Sequence, residues 1–220
     1  MYFPLILFSS EMCSHGHGGS CEQEYAAVVQ AADGSLYTMN NHIDLEKVVV
    51  LNETLEGSGA KVFKDWQNRM DRTAFVESDV DEELLFNIPF RGHVKIMGIV
   101  LAGDLDNTHP SRMKVYKDRP SMSFEDATLA PDQEFTLKQD AQAQIDYALK
   151  GTKFSDVTHL SLYFPSNFGA ERTRIYYIGL RGEYLSDMPS EIPIVTYESR
   201  PMLKDHKADI PSNAVHRDVF

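Results

Sequence analysis

The sequence predicts an all-β fold, an antiparallel β-sandwich or jelly roll with one short helix. Apolar and polar residues alternate over much of the chain after residue 84, as in strands with one buried face. Roughly seven or eight such segments follow one another, separated by turns rich in glycine, proline and asparagine. A chain of 220 residues is long enough to bury a sizeable core.

The strand pattern differs from segment to segment. Segment 84–90 alternates regularly, and Pro89 within it indicates an edge strand or a bulge. Segment 94–101 is apolar at nearly every position, which is typical of a strand covered on both faces. The remaining predicted strands are 113–116, 134–137, 157–164, 174–181 and 192–197.

The helical prediction concerns residues 62–70. Val62, Trp66 and Met70 follow one another at intervals of four residues. Residues with this spacing share one face of an α-helix. We therefore expect a short helix with Trp66 on its buried side.

The chain divides into three parts. Residues 1–35 form a leader rich in Cys, His and Gly that is expected to be disordered, and 1–11 precede Met12, an alternative natural start. The β-sandwich domain is expected over 36–197, followed by a polar tail, 198–220, that would fold on contact with a partner. The apolar run at 3–8 is too short to cross a membrane and lacks the features of a signal peptide.

Charge and cysteine content limit the function classes. The formal net charge of -12 argues against binding a nucleic-acid backbone, which requires clustered lysine and arginine, and suits a soluble protein with basic or mixed protein partners. The predicted β domain contains no cysteine, so a reducing compartment, the cytoplasm or also the nucleus, is favoured. No membrane association and a monomeric state are expected.

An acidic turn precedes the first long strand. A calcium-binding loop would place a glycine where Leu84 stands, so a solvated turn is the preferred interpretation. A patch that faces a protein partner is the main alternative, and a metal site is the weakest. The carboxylates of this turn are Glu77, Asp79, Asp81, Glu82 and Glu83.

The leader contains four side chains suited to zinc or copper: Cys13, His15, His17 and Cys21. If the chain started at Cys13, its free amine and the third-position His15 would together favour square-planar copper or nickel. An unstructured segment without metal is the simpler interpretation, because no apolar residues surround these ligands to order them.

Motifs for catalysis are not recognised in the sequence. It has no Gly-x-Ser-x-Gly elbow and no phosphate-binding loop spacing, and its eight histidines are scattered. No enzymatic activity and no cofactor are therefore expected. Binding of a carbohydrate or small ligand is the alternative function, since jelly rolls often have it. The tyrosines that could form a sugar platform, or equally belong to the core, are Tyr37, Tyr163, Tyr184 and Tyr197.

Several segments resemble the PITH domain, the C-terminal domain of a proteasome-interacting thioredoxin-like protein. The resemblance covers roughly residues 36–200. It is carried by the segments LNETLEGSG (51–59), FVESDVDEELLFNIPF (75–90), HPS (109–111), VYK (115–117), NFG (167–169) and YIGLRGE (177–183). Because the chain has no thioredoxin module with its Cys-x-x-Cys pair, it is most similar to the stand-alone members of the family.

The resemblance implies a galactose-binding-like jelly roll with a non-catalytic role. For the thioredoxin-linked relative it implies docking on the regulatory particle of the 26S proteasome, which makes the subunits of that particle the expected partners here. His206 or His216 would reach a metal site on the partner. The residues expected to bind the partner are Glu77, Asp79, Asp81, Glu82, Glu83, Asp205, His206 and His216.

Overall fold

The computed structural model describes residues 36–188, which form nine antiparallel strands arranged as a β-sandwich. The predicted fold class is confirmed. The strands are β1 (Val49–Leu51), β2 (Val76–Glu77), β3 (Leu84–Ala102), β4 (Arg112–Lys117), β5 (Gln133–Thr136), β6 (Asp146–Ala148), β7 (Val157–Phe164), β8 (Arg174–Ile175) and β9 (Tyr177–Asp187).

The longest strand, β3, belongs to both layers of the sandwich. Its first part pairs with β1 on one side and β7 on the other, and the first layer continues from β7 to β4 and β5. Its second part lies between β6 and β9. The register of the β3–β7 pair shifts between Pro89 and Val94, where the strand passes from one layer to the other.

The core is built from both parts of β3. Phe86 and Ile88 from the first part and Ile99 and Leu101 from the second are fully buried in one apolar cluster. Val100, on the opposite face from Ile99, is also buried, because Tyr37 covers it from outside. The prediction that 94–101 is covered on both faces is confirmed for this part of the strand.

Loops cover both outer faces of the sandwich. On the second layer, Tyr37 stacks on Trp66 with ring centroids 4.6 Å apart. On the first layer, a segment from Asp118 to Pro131 packs over the sheet through Met122 and Ala127. Much of the outer surface of both layers is therefore buried under loops, and only parts of it remain exposed to solvent.

The predicted helix over 62–70 is wrong. Short 3-10 helices form at Gly59–Val62 and Trp66–Asn68, and the extended Asp65 separates them. The interruption lets Phe63 enter the core, where its ring meets that of Phe86 edge-on at 6.1 Å. Met70 is 47% exposed and does not share a buried face with Val62. Tertiary packing thus outweighs the periodic pattern.

Two further differences concern the strands. The segments predicted as 84–90 and 94–101 are one continuous strand, and the short strands β2 and β6 were not predicted. The predicted strand 192–197 lies outside the described residues. Within 36–188, no helix is both long enough and apolar enough to span a lipid bilayer.

Candidate functional site

Four loops meet at one end of the sandwich, which we call the loop end. Hydrogen bonds between backbones join them: Thr54 N–H donates to the Glu77 carbonyl, and Arg174 N–H donates to the Thr108 carbonyl, each at 2.9 Å. A further bond at 2.9 Å runs from Ser111 to Ser166. The loop end consists of residues 52–58, 72–83, 103–111 and 165–174.

Two carboxylates of the acidic turn are paired with arginines. Glu77 lies directly opposite Arg174 in the β2–β8 pair, and its Oε1 is 2.7 Å from Nη2 of that arginine. Arg172 lies 4.0 Å from both Glu77 and Asp79. Two of the five carboxylates of the turn are therefore partly neutralised by the chain itself.

The other three acidic residues shape the turn. Oδ1 of Asp81 accepts hydrogen bonds from Nδ2 of Asn52 at 2.7 Å and from the Glu83 backbone N–H at 3.1 Å. The Glu82 carbonyl accepts a bond from the Thr173 hydroxyl at 2.6 Å. Burial, followed by a hydrogen bond to Glu83, raises the pKa of Tyr163. The turn is thus a defined structure, and its role towards a partner stays a prediction.

Beside the acidic turn, two arginines and two aromatic rings form one cluster. The guanidinium of Arg72 lies 4.3 Å from the ring centroid of Tyr176, and that of Arg174 lies 5.1 Å from the ring centroid of Phe75. The two rings are 5.7 Å apart. The Tyr176 hydroxyl donates to Oδ2 of Asp104 at 2.7 Å. Cation–π contacts of this kind orient the two guanidinium groups against a buried ring, Tyr176, and a partly exposed one, Phe75.

The loop end also exposes large apolar side chains. Val80, between Asp79 and Asp81 in sequence, is 84% exposed, and Leu105 is 68% exposed. Leu55, Phe75 and Phe168 add further exposed apolar area. Such side chains are normal when scattered singly, but their concentration at one end, with polar groups around them, is typical of interaction surfaces.

Charge is concentrated in the same four loops. They contain ten carboxylates against three arginines and no lysine, so they account for a large part of the net charge of -12. A surface with this balance attracts basic partners and repels acidic ones.

A buried histidine, His109, fixes the backbone of the loop end through two hydrogen bonds. His109 is fully buried; its Nδ1–H donates to the Pro110 carbonyl at 2.8 Å, and its Nε2 accepts from the Asp140 N–H at 3.1 Å. The bond from a backbone N–H to Nε2 requires the neutral imidazole. Burial lowers the pKa of His109, against the opposing effects of the hydrogen bond to the Pro110 carbonyl and of the Asp140 charge. Gly103 packs so closely that a Cβ there would lie 2.5 Å from the imidazole ring.

Because His109 is buried in its neutral form, we expect the free energy of unfolding to fall at acidic pH. Its pKa is lower in the folded than in the unfolded chain, so the unfolded chain binds the additional proton first as pH falls. The part of the free energy of unfolding that depends on neutral His109 is fully present above about pH 6.5. It is lost as the pH falls below that value, at up to about 1.4 kcal/mol per pH unit. Urea denaturation of the wild type and of His109→Gln at pH 7.5, 6.5 and 5.5 checks this. We expect the variant to be less stable at pH 7.5 but to lose less stability on acidification; equal losses would contradict the prediction.

The other predicted sites fall outside the described residues. This applies to the leader ligands and to the tail residues: Cys13, His15, His17, Cys21, Asp205, His206 and His216. Within 36–188 no group of three or more His, Cys, Asp or Glu side chains is arranged to hold a metal ion.

The tyrosines considered for sugar binding have different positions. Tyr37 and Tyr163 are buried, while Tyr184 stacks on His42 with centroids 4.2 Å apart. Tyr197 lies outside the described residues. A pocket of about 280 Å³ at the loop end includes one aromatic ring, that of Phe75.

Sequence reasoning missed most of the loop end beyond the acidic turn. The residues that it missed come from three segments that are distant from one another in sequence, and no spacing relates these segments: Arg72 and Phe75, Asp104, and Arg174 and Tyr176. The one available indication is Phe75, an aromatic residue directly before a segment with many charges.

Comparison with known proteins identifies the family. The family model described as "PITH domain" matches residues 29–201. A relative from Caenorhabditis elegans, PITH domain-containing protein ZK353.9, is 50% identical over 209 residues, which cover 95% of this chain and 100% of the relative. PITH domain-containing protein 1 from Homo sapiens is 47% identical over 201 residues, covering 88% of this chain and 94% of the relative. These names denote a domain and no catalytic activity.

Solved structures with a similar fold are far less similar in sequence. The C-terminal domain of a chitobiase from Bacteroides fragilis is 18% identical, with a TM-score of 0.45 over 67% of this chain and 98% of that chain. The family 32 carbohydrate-binding module from Clostridium perfringens NanJ, solved with galactose, is 8% identical, with a TM-score of 0.42 over 64% of this chain and 95% of that chain. Similarity at this level does not indicate a ligand. The sequence matches are decisive, and the chain belongs to the PITH domain family.

Proposed function

We propose that this chain is a non-catalytic protein-interaction module that docks on the regulatory particle of the 26S proteasome through its loop end and its C-terminal tail. The observation that carries the proposal is the combination, at the loop end, of exposed apolar side chains with a high density of carboxylates. Membership of the PITH family supports the choice of partner through the resemblance to its proteasome-docking, thioredoxin-linked member.

The chemistry of the loop end defines the partner surface. Val80 and Leu105 are exposed, and each stands between two aspartates in sequence, so the matching surface on the partner is apolar and rimmed by lysine or arginine. The field accelerates encounter, and the apolar contacts retain the partner afterwards. Docking in the cytoplasm or nucleus fits this function.

Two double variants, which place opposite charges at the same two positions, test the docking surface. Val80→Lys with Leu105→Lys removes both apolar contacts and weakens the local negative field, whereas Val80→Glu with Leu105→Glu removes the same contacts and strengthens that field. With purified 26S proteasome and the tagged chain as bait, we expect the lysine variant to lose about tenfold or more in captured regulatory-particle subunits. The glutamate variant should lose distinctly less.

The tail is tested in the same assay. Deletion of 198–220, and His206→Ala and His216→Ala separately, should each reduce capture if the tail takes part. Equal capture by the full and shortened chains would remove the tail from the proposal. Capture by both the lysine and the glutamate variants at the wild-type level would remove the loop end from the proposal, and an equal loss in both would remove the acidic field but keep the apolar contacts. No capture by the wild type would refute the partner.

A further inference from the structure

A groove crosses the outer face of the first layer, beside the edge strand β1. Its volume is about 350 Å³. The floor combines side chains of three adjacent strands, with Val49 and Leu51 from β1 and Pro89 from β3 supplying apolar surface. Met122, from the segment that covers the rest of this face, forms part of the wall. Val49 is 49% exposed, so the floor is open to a ligand.

The charged side chains that line the groove favour binding of an anion. Lys47, Arg119 and His159 line it, and none of the lining residues is a carboxylate. Two other surface pockets of the described chain each include one, Glu77 and Asp65. In a protein with a net charge of -12, a groove lined by two cations and no carboxylate is a specific feature.

The two cations have capacity for a ligand. Lys47 is paired with Asp44 at 2.7 Å, but its side chain is 75% exposed, and exposed pairs of this kind exchange readily. The guanidinium of Arg119 lies 4.8 Å from the ring centroid of Tyr116. Arg119 is partly exposed, but its Nη1 is buried without a hydrogen-bond partner among the described residues, and its Nη2 lies 3.5 Å from the Ala130 carbonyl oxygen.

The wall of the groove is held in place by a buried amide. Asn87 of β3 donates to the Met122 carbonyl at 2.9 Å and accepts from the Met122 N–H at 3.2 Å. The Ser161 hydroxyl of β7 donates to the same amide oxygen at 3.0 Å. Next to Met122, Ser121 has a backbone φ of 57°, in the left-handed region. The groove is therefore preformed, which lowers the entropic cost of binding.

We propose that this groove binds a short extended peptide segment in which acidic side chains alternate with apolar ones. Neighbouring strands lie about 4.8 Å apart, so a floor across three strands is roughly 10 Å wide, which suits three or four residues of extended chain. The apolar side chains of the peptide would contact Val49, Leu51 and Met122. Its carboxylates would meet Lys47 and Arg119, with His159 close by.

This site is separate from the loop end in its chemistry. The loop end is acidic and selects basic partners, whereas the groove selects acidic segments. One module could therefore hold two different partner segments at once. The test uses the purified chain alone, so its outcome is independent of whether the proteasome is the docking partner.

The experiment uses two labelled probe peptides and two variants that place opposite charges at Val49. The probes are Asp-Leu-Asp-Leu-Asp and Lys-Leu-Lys-Leu-Lys, measured by fluorescence anisotropy. We expect the acidic peptide to bind and the basic one not to. Val49→Glu should weaken binding by about tenfold or more, and Val49→Lys should not weaken it. Val49 is half exposed on an edge strand, so both replacements are compatible with the fold.

Amide chemical shifts of the wild-type chain provide a second measurement that needs no variant. The acidic peptide should perturb Val49, Leu51, Met122 and His159. Absence of binding, equal binding of the basic peptide, shifts confined to other residues, or unchanged affinity of Val49→Glu would overturn the proposal. Sodium succinate that reproduced the shifts at equal affinity would also overturn it, since the site would then select small anions.

Discussion

Asp146→Ala is expected to lower the free energy of unfolding by about 3–5 kcal/mol, because it leaves the charge of the largely buried Arg181 without its carboxylate, with only a hydrogen bond to the Met97 carbonyl remaining among the described residues. Oδ2 of Asp146 lies 2.6 Å from Nη2 and 2.8 Å from Nε of Arg181, and Asp146 is 1% exposed. Burial, followed by the charge of Asp146, raises the pKa of Tyr37, which covers this face, to about 12. Urea denaturation at pH 7 measures the loss.

Two further variants separate pairing from burial. Burial raises the pKa of Asp146 despite Arg181, so the pair itself adds little stability. Asp146→Leu with Arg181→Met should therefore stay within about 1 kcal/mol of the wild type or exceed it. Glu183→Ala breaks an exposed pair with Lys95 (3.2 Å) and should cost less than about 1 kcal/mol. If Asp146→Ala costs no more than Glu183→Ala, the explanation is wrong.

Phe86→Ala should also cost about 3–5 kcal/mol, since it opens a cavity at the centre of the core. Phe86 is fully buried, and its ring meets those of Phe63 and Phe164 edge-on at 6.1 and 5.7 Å. Because a domain is stable by about 5–15 kcal/mol, this loss would remove a large share of the free energy of unfolding. Thermal and urea denaturation both report the change.

Two control variants change either the volume of the side chain that replaces Phe86 or the position of the substitution. Phe86→Leu retains much of the side-chain volume and should lose clearly less stability than the alanine variant. Val80→Ala changes an exposed side chain and should stay within about 0.5 kcal/mol of the wild type. A loss below 1 kcal/mol for Phe86→Ala would show that the surrounding rings close the cavity.

The sandwich could be predicted because its strands carry a local pattern. In β7, Leu160, Leu162 and Phe164 alternate with their neighbours, and they lie in the core as the alternation requires. The helix over 62–70 was predicted wrongly for the same reason, since spacing alone does not reveal that Phe63 is drawn into the core. The short strands β2 and β6 have two and three residues, too few to show a period.

The candidate sites were less predictable because they depend on contacts between distant segments. The acidic turn is visible in the sequence, but its pairing with Arg172 and Arg174 arises from the β2–β8 pair, about 97 residues apart. The groove beside β1 requires the 119–123 segment to fold back over Asn87. Neither arrangement leaves a local trace in the sequence.

The path of β3 through both layers also has a consequence for biosynthesis. Ala102 pairs with Tyr177 and Gly92 with Asp187, so the second half of the strand must wait for residues made much later. At about 5–20 residues per second, its edge would stay unpaired on the ribosome for roughly 4–20 s. Contacts this distant also make folding slow, because loop closure precedes any gain from pairing. Nascent chains of this protein should therefore depend on chaperones until β9 has emerged.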